Sequence, residues 1–164
     1  MKQTVVDAVN EQIRNELYSG YLYLAMSAHF DAENLDGFAR WMRLQAQEEL
    51  DHAMRLFDHV NRTGGRVVLG AIERPPSTFD TPLTVFRQAL EHEREVTGMI
   101  NDLYELARRE NDHATELALQ WFIGEQVEEE DSALTAVNQL ELAGDSNAAL
   151  LMLDRQFGQR AVTG

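Results

Sequence analysis

The sequence contains no cysteine, which excludes disulfides, thiolate zinc sites, iron–sulfur clusters and cysteine nucleophiles. Any metal held here must do without thiolate, which points to oxygen and nitrogen ligands. Proline is scarce too, three in 164 residues, and the ten glycines follow no period, so collagen-like, proline-rich and solenoid architectures are excluded. No stretch approaches the ~18 consecutive apolar residues of a membrane span. The opening MKQTVVDAVNEQIRNE turns polar after two valines and does not read as a secretory leader. These features predict a soluble, cytoplasmic chain with no membrane partner. Basic residues are few as well: 14 Lys and Arg against 28 Asp and Glu leave a net charge of −14. Such a surface repels phosphate and gathers cations, which predicts no nucleic-acid partner.

What the sequence does have is apolar residues, 44% of the chain, enough for one domain spanning residues 1–164 with a full core. They recur at helical spacing almost throughout. A first helix is predicted over about residues 4–33, with Thr4 as N-cap and Val5, Val9, Ile13, Leu17, Gly20, Leu24 and Ser27 along one side. A second, over about 34–63, is capped by Asn34, carries Phe38, Trp41, Met42, Gln45, Leu56 and Val60 on its inner face, and stops at Gly64-Gly65. Residues 65–80 contain two glycines, the pair Pro75-Pro76 and no period; a connection of that length predicts a crossover running the height of a helical bundle. Thr81-Pro82 opens a third helix to about residue 110, through Phe86, Leu90, Val96, Ile100 and Leu103. After a tight turn at Asn111-Asp112, a fourth runs over about 113–143 with Leu119, Phe122, Ile123, Leu134, Val137 and Leu140, and Gly144 ends it. A short fifth, about 145–157, is apolar at Leu150, Leu151, Leu153 and Phe157 and must dock on something to persist. The predicted fold is all-α: a four-helix bundle with one long crossover between the second and third helices and a short fifth C-terminal helix.

The residues that carry chemistry are acids on faces that should be dry, where an unpartnered carboxylate costs several kcal/mol. The first helix places Glu16 between Ile13 and Gly20, with Tyr23 two turns on. The second places Glu49 and His52 one turn apart between Gln45 and Leu56. The third offers Glu93, and the fourth offers Gln126 and Glu129, with Glu125 and Glu128 on the adjoining flank. Taken alone, the Glu49/His52 pair reads equally well as a solvated helix face, Glu16 or Glu93 reads more readily as a surface or snorkelling acid, and the run Glu128-Glu129-Glu130-Asp131 reads as an ordinary exposed face. A second Glu-x-x-His, Glu110 to His113, straddles the Asn-Asp turn. His29, His59, His92 and His113 have no second ligand at helical spacing and read as surface or structural residues. The case for a site is coincidence of height: antiparallel packing brings Glu16, Glu49, His52, Glu93, Gln126 and Glu129 to about the middle of the bundle. That many polar groups in an apolar interior repel without a cation, and oxygen ligands with one imidazole suit iron or manganese. A two-metal carboxylate site is predicted.

With these residues in place, the chain resembles the ferritins, and among them the non-haem bacterial ferritins, over about residues 4–158. The segments that carry the resemblance are NELYSGYLYLAMSAHF, RLQAQEELDHAMRLFDHV, EHEREVTGMINDL and LQWFIGEQVEEE, followed by a short helix opening near LAGDS. The resemblance implies a ferroxidase that binds two Fe(II), oxidises them with O2 or H2O2, and stores ferric iron as a mineral inside a homo-oligomeric shell of 24 subunits. It implies that Glu16, Glu49 and His52 hold the first iron, that Glu49 bridges to the second, and that Glu93 and Glu129 complete the second with Gln126 beside it. It further implies a third iron site at Glu48, Glu125, Glu128 and Glu129, and an electron-supplying role for Tyr23.

Two departures narrow the expectation. Gln126-x-x-Glu129 stands where bacterioferritins and di-iron oxygenases carry a second Glu-x-x-His, so the second metal is held more loosely, as befits iron in transit. Leu50 stands where haem-binding bacterioferritins place an axial methionine, so no haem is expected. Glu116 and Gln120 match the region of three-fold channels in related shells, which makes Glu116 a candidate for cation uptake and equally an ordinary exposed acid. The alternative from another functional class is a DNA-protecting miniferritin-like protein; it calls for a basic tail and ligands shared between subunits, whereas only Lys2 lies near this start. A metal-free structural bundle would have to tolerate the core acids unpaired.

Overall fold

A computed structural model describes residues 1–161. Its elements are α1 (Gln3–Ala32), α2 (Asp36–Arg62), α3 (Pro82–Arg109), α4 (His113–Ala143) and α5 (Asn147–Phe157). Among the described residues no helix is long and apolar enough to cross a membrane.

Local chemistry sets most of the helix ends. The Thr81 hydroxyl accepts from the Thr84 amide at 3.3 Å, with Pro82 in the first turn, where a missing N–H costs nothing. Asp112 caps α4 through Thr115 N at 3.1 Å, and Ser146 caps α5 through Ala149 N at 3.2 Å. Two expected caps do not form. Lys2, not Thr4, precedes α1, and it makes no side-chain cap; Thr4 lies inside the helix. Leu35, not Asn34, precedes α2. Asn34 instead adopts φ 57°, and Asn111 adopts φ 56° in the α3–α4 turn. Asparagine tolerates the left-handed region, so both reverse the chain where a helix stops. The Leu35 amide then closes on Phe30 O at 3.0 Å, and Asp112 N on Ala107 O at 2.9 Å.

These tight turns make α1 with α2 and α3 with α4 into hairpins. The crossover between them lies along α1: the Asn10 side chain holds Arg66 O at 3.0 Å and Val68 N at 3.1 Å, and near its far end His29 Nε2 meets Asp80 O at 3.2 Å. It therefore travels from the level of Asn10 to that of His29, roughly 28 Å at the α-helical rise. Lys2 pairs with Glu110 at 2.9 Å, which places the end of α3 beside the start of α1. α2 and α3 run parallel, as the crossover requires.

Leu24 and Leu134 were expected inside but are 49% and 40% exposed. A heptad step from Leu17 to Leu24 drifts about 20° off a straight helix face, and over thirty residues the buried stripe passes instead to Tyr23, Met26 and Phe30. α5 docks on the start of α2. The Phe38 amide donates to Asp154 Oδ1 at 2.8 Å, and the Phe157 ring meets Phe38 and Phe86 at 5.2 and 5.4 Å. A Cβ on Gly37 would lie 1.6 Å from Asp154 O, so only glycine lets the two helices come this close.

The core is not continuous. One apolar cluster gathers Tyr23, Met26, Phe30, Phe38, Met42, Phe86 and Phe157; the other gathers Val5, Val9, Ile13, Leu56, Val60, Ile100 and Phe122. A buried polar layer lies between them along the helices: Glu16, Gln45, Glu49, His52, Glu93, Gln126 and Glu129.

Candidate metal centre

Each of the four long helices delivers a side chain to this layer, because each has a polar residue at the midpoint of an otherwise apolar stripe. Glu16, Glu49, His52, Glu93, Gln126 and Glu129 are 5% exposed or less. α1 and α2 come close here across Gly20, where a Cβ would stand 3.2 Å from Ala46 O and 3.6 Å from Glu49 Cβ.

Glu16, Glu49 and His52 bring one ligand atom each to within 4.8 Å of one another. His52 Nδ1 faces Glu49 Oε2 at 3.5 Å and Glu16 Oε2 at 3.9 Å. These three atoms, Glu16 Oε2, Glu49 Oε2 and His52 Nδ1, are buried and have no hydrogen-bond partner among the described residues. Buried polar atoms are nearly always satisfied, so three orphans aimed at one point fit a cation. The other Glu16 oxygen accepts from the buried Gln12 amide at 2.8 Å, which fixes the carboxylate. The His52 ring is wedged edge-on against Trp121 and Phe122, at 5.4 and 6.0 Å.

Glu93 and Glu129 stand on the far side. Tyr23 donates to Glu93 Oε1, and the Gln126 amide donates to Glu93 Oε2 at 3.2 Å. Gln45 donates to Glu129 Oε2. Among the described residues Glu93 joins no tight three-residue cluster, but its charge acts on both Glu49 and Glu129. Burial raises the carboxyl of Glu93 to about 7, against the hydrogen bonds from Tyr23 and Gln126 that favour its charged form. Burial and then the Glu93 charge raise Glu129 to about 8. Glu49 is pushed well above the usual carboxylate range by burial, and then by Glu93 and Glu16. The layer is thus a set of acids that oppose one another's ionisation, the condition a bound cation relieves.

Of the acids expected at a third site, Glu129 and Glu125 group with His52 within the same 4.8 Å limit. Glu125 Oε1 lies 3.9 Å from His52 Nε2, so the imidazole has one nitrogen facing each side. Glu48, Glu125 and Glu128 line a cavity of about 370 Å³ with Asp51, His52, Arg55 and Trp121. The cavity opens the His52 side of the layer to solvent. Glu48 is held by Arg160 Nη2 at 2.6 Å. Glu116 is paired with His113 at 3.4 Å, and Gln120 is exposed on the same helix.

The ferritin-like domain family matches residues 6–143. The chain belongs to the ferritin family. It is 41% identical to the bacterial non-heme ferritin of Bacteroides fragilis (strain 638R) over 98% of its length and 99% of that protein. It is 34% identical to the bacterial non-heme ferritin of Staphylococcus aureus (strain USA300), over 98% and 96%. The open pore ferritin of the hyperthermophilic archaeon Archaeoglobus fulgidus superposes with a TM-score of 0.97 at 50% identity, covering 98% of this chain and 99% of that one.

The sequence pattern turns Gln45 inward but does not by itself mark Gln12, Gln45 and Thr97 as the side chains that hold the acids of this ferritin. Gln12 one turn before Glu16, Gln45 one turn before Glu49 and Thr97 one turn after Glu93 all sit on inward stripes, and that spacing was the available signal. Thr97 takes the Gln126 amide at 3.2 Å and itself donates to Glu130 at 2.6 Å, which draws the EEE run toward the interior at one more position. Arg160 had no signal, because nothing in a chain's last residues says where they fold back.

Proposed function

We propose that this ferritin is a cytoplasmic iron store in which residues 1–164 form one ferritin-like domain. Its bundle oxidises Fe(II) with O2 or H2O2 and passes Fe(III) to a mineral inside a shell of 24 copies. Iron is the substrate and the cargo. Glu16, Glu49 and His52 take the first Fe(II); Glu49 reaches between the two, and Glu93 and Glu129 take the second, with Gln126 alongside. Hard carboxylate oxygens favour Fe(III) over Fe(II), and two irons side by side give up two electrons to one oxidant molecule. Tyr23, hydrogen-bonded to Glu93, stands where it can supply a further electron. Glu48, Glu125, Glu128 and Glu129 form a third iron site on the cavity side. With Gln126 in place of an imidazole the second iron is held loosely and moves on. Leu50 gives no sulfur ligand, so no haem is part of this proposal. The acidic surface, at −14, suits cations and opposes nucleic acid.

The observation that carries this reading is the trio Glu16 Oε2, Glu49 Oε2 and His52 Nδ1, buried together without partners among the described residues, in a polar layer between two apolar clusters. The test is anaerobic loading of the apo-protein with Fe(II), then air, for wild type and Glu49→Gln, with absorbance near 300–350 nm and assembly mass followed together. Expected are fast oxidation of about the first two irons per subunit, at least about tenfold slower in the variant, and later uptake of many more irons by a large assembly. Oxidation no faster than in buffer, or unaffected by the substitution, would refute the di-iron assignment.

A further inference from the structure

Arg160 follows α5 and folds back onto the acidic face of the bundle. Its guanidinium holds Glu48 Oε2 at 2.6 Å, donates to Gln45 Oε1 at 2.8 Å and stands 4.6 Å over the Trp41 ring. Its backbone is fixed as well: the Arg40 side chain donates to Arg160 O at 2.7 Å and to Gly158 O at 2.8 Å. The Arg160 and Glu48 side chains are only 17% and 11% exposed, so this is not one of the solvated surface pairs that contribute little. A planar, stacked guanidinium with two separate acceptors is a built position. Gln45 then donates to Glu129, so the tail of the chain reaches a proposed ligand of the second iron through one amide.

Glu48 thus has two claimants, the arginine and the third iron proposed above, on which this inference rests. Sharing it is costly, since a metal ion and a guanidinium on one partly buried carboxylate repel. The contrast with the first site is informative. There Glu16 Oε2, Glu49 Oε2 and His52 Nδ1 have no partner among the described residues, whereas Glu48 begins with a strong one. We propose that Arg160 is the resident counter-charge of the third site, which a third metal ion must displace from Glu48, so that the C-terminal segment sets the affinity of that site and makes it the last to fill.

The probe is Zn(II), which is redox-silent, accepts oxygen and nitrogen ligands, and is titrated calorimetrically into apo wild type, Arg160→Ala, Arg160→Gln and Glu128→Gln. Arg160→Gln keeps hydrogen-bonding capacity without the charge, and it carries the test if Arg160→Ala loosens α5. Removing the charge is expected to tighten the third zinc about three- to tenfold and to change the first two by a smaller factor. In a Trp121→Phe background, Trp41 emission changes only as the third equivalent binds, when the guanidinium leaves its ring, and that change is absent without Arg160. A third zinc that is lost in Glu128→Gln but bound equally or more weakly without Arg160 overturns the proposal while leaving the third site standing. Titrations that stop at two zincs in every variant remove the third site and the proposal with it.

Discussion

Tyr23 on α1 donates its phenolic hydrogen to Glu93 on α3, a buried contact between residues 70 positions apart. Burial, and then the charges of Glu93 and Glu49, push the phenol well above its ordinary 10, so it stays a neutral donor at any physiological pH. Tyr23→Phe removes the donor and leaves the ring's volume in place. The apo-protein at pH 8 is expected to lose about 1–2 kcal/mol in urea unfolding, because the Glu93 oxygen is left buried without its partner. An unchanged midpoint would show that the contact carries no weight.

The raised carboxyls make the apo-protein sensitive to alkali in a defined window. Glu93 and Glu129 take up protons more readily folded, at about 7 and about 8, than unfolded, at 4.5. Between those limits the folded state binds more protons, so stability falls as pH rises. The contribution is fully present below about pH 4.5 and lost by about pH 8. Thermal unfolding of the metal-free protein should therefore show a decline of the order of a few kcal/mol across that range, shallower in Glu129→Gln and shallower again with metal bound. A metal-free protein equally stable at both ends would contradict the burial argument.

Gly37 and Gly98 should respond oppositely to alanine. A methyl at Gly37 meets Asp154 backbone at 1.6 Å, while nothing lies within 4 Å of one at Gly98. Gly37→Ala is expected to expel α5 and cost about 3 kcal/mol or more. Gly98→Ala, in an open helical position, should gain about 0.5–1 kcal/mol through lower backbone entropy in the unfolded chain. Unfolding curves that order the two variants the other way would reject the docking geometry.

Much of the fold was legible because long helices repeat their message. The stripe Phe86, Leu90, Val96, Ile100 and Leu103 is buried residue for residue, and Thr81-Pro82 opens α3 as its chemistry dictates. The failures were local. Asn34 has the composition of a cap but serves the turn, since the same short side chain suits both positions. Leu24 was counted inward by a heptad step that a straight helix does not keep.

Glu49 and His52 share a helix face by spacing alone, and the polar residue at the midpoint of each long stripe is likewise a property of the linear chain, fixed by the period of the helix. Which oxygen of Glu16 is satisfied by Gln12 and which is left bare, whether Glu48 is open or held, and that Arg160 returns to hold it were decided only in three dimensions. Those contacts join residues as far apart as Glu48 and Arg160, 112 positions. Periodicity specifies a direction around one axis, whereas a contact of that range depends on how several axes and a chain end pack together.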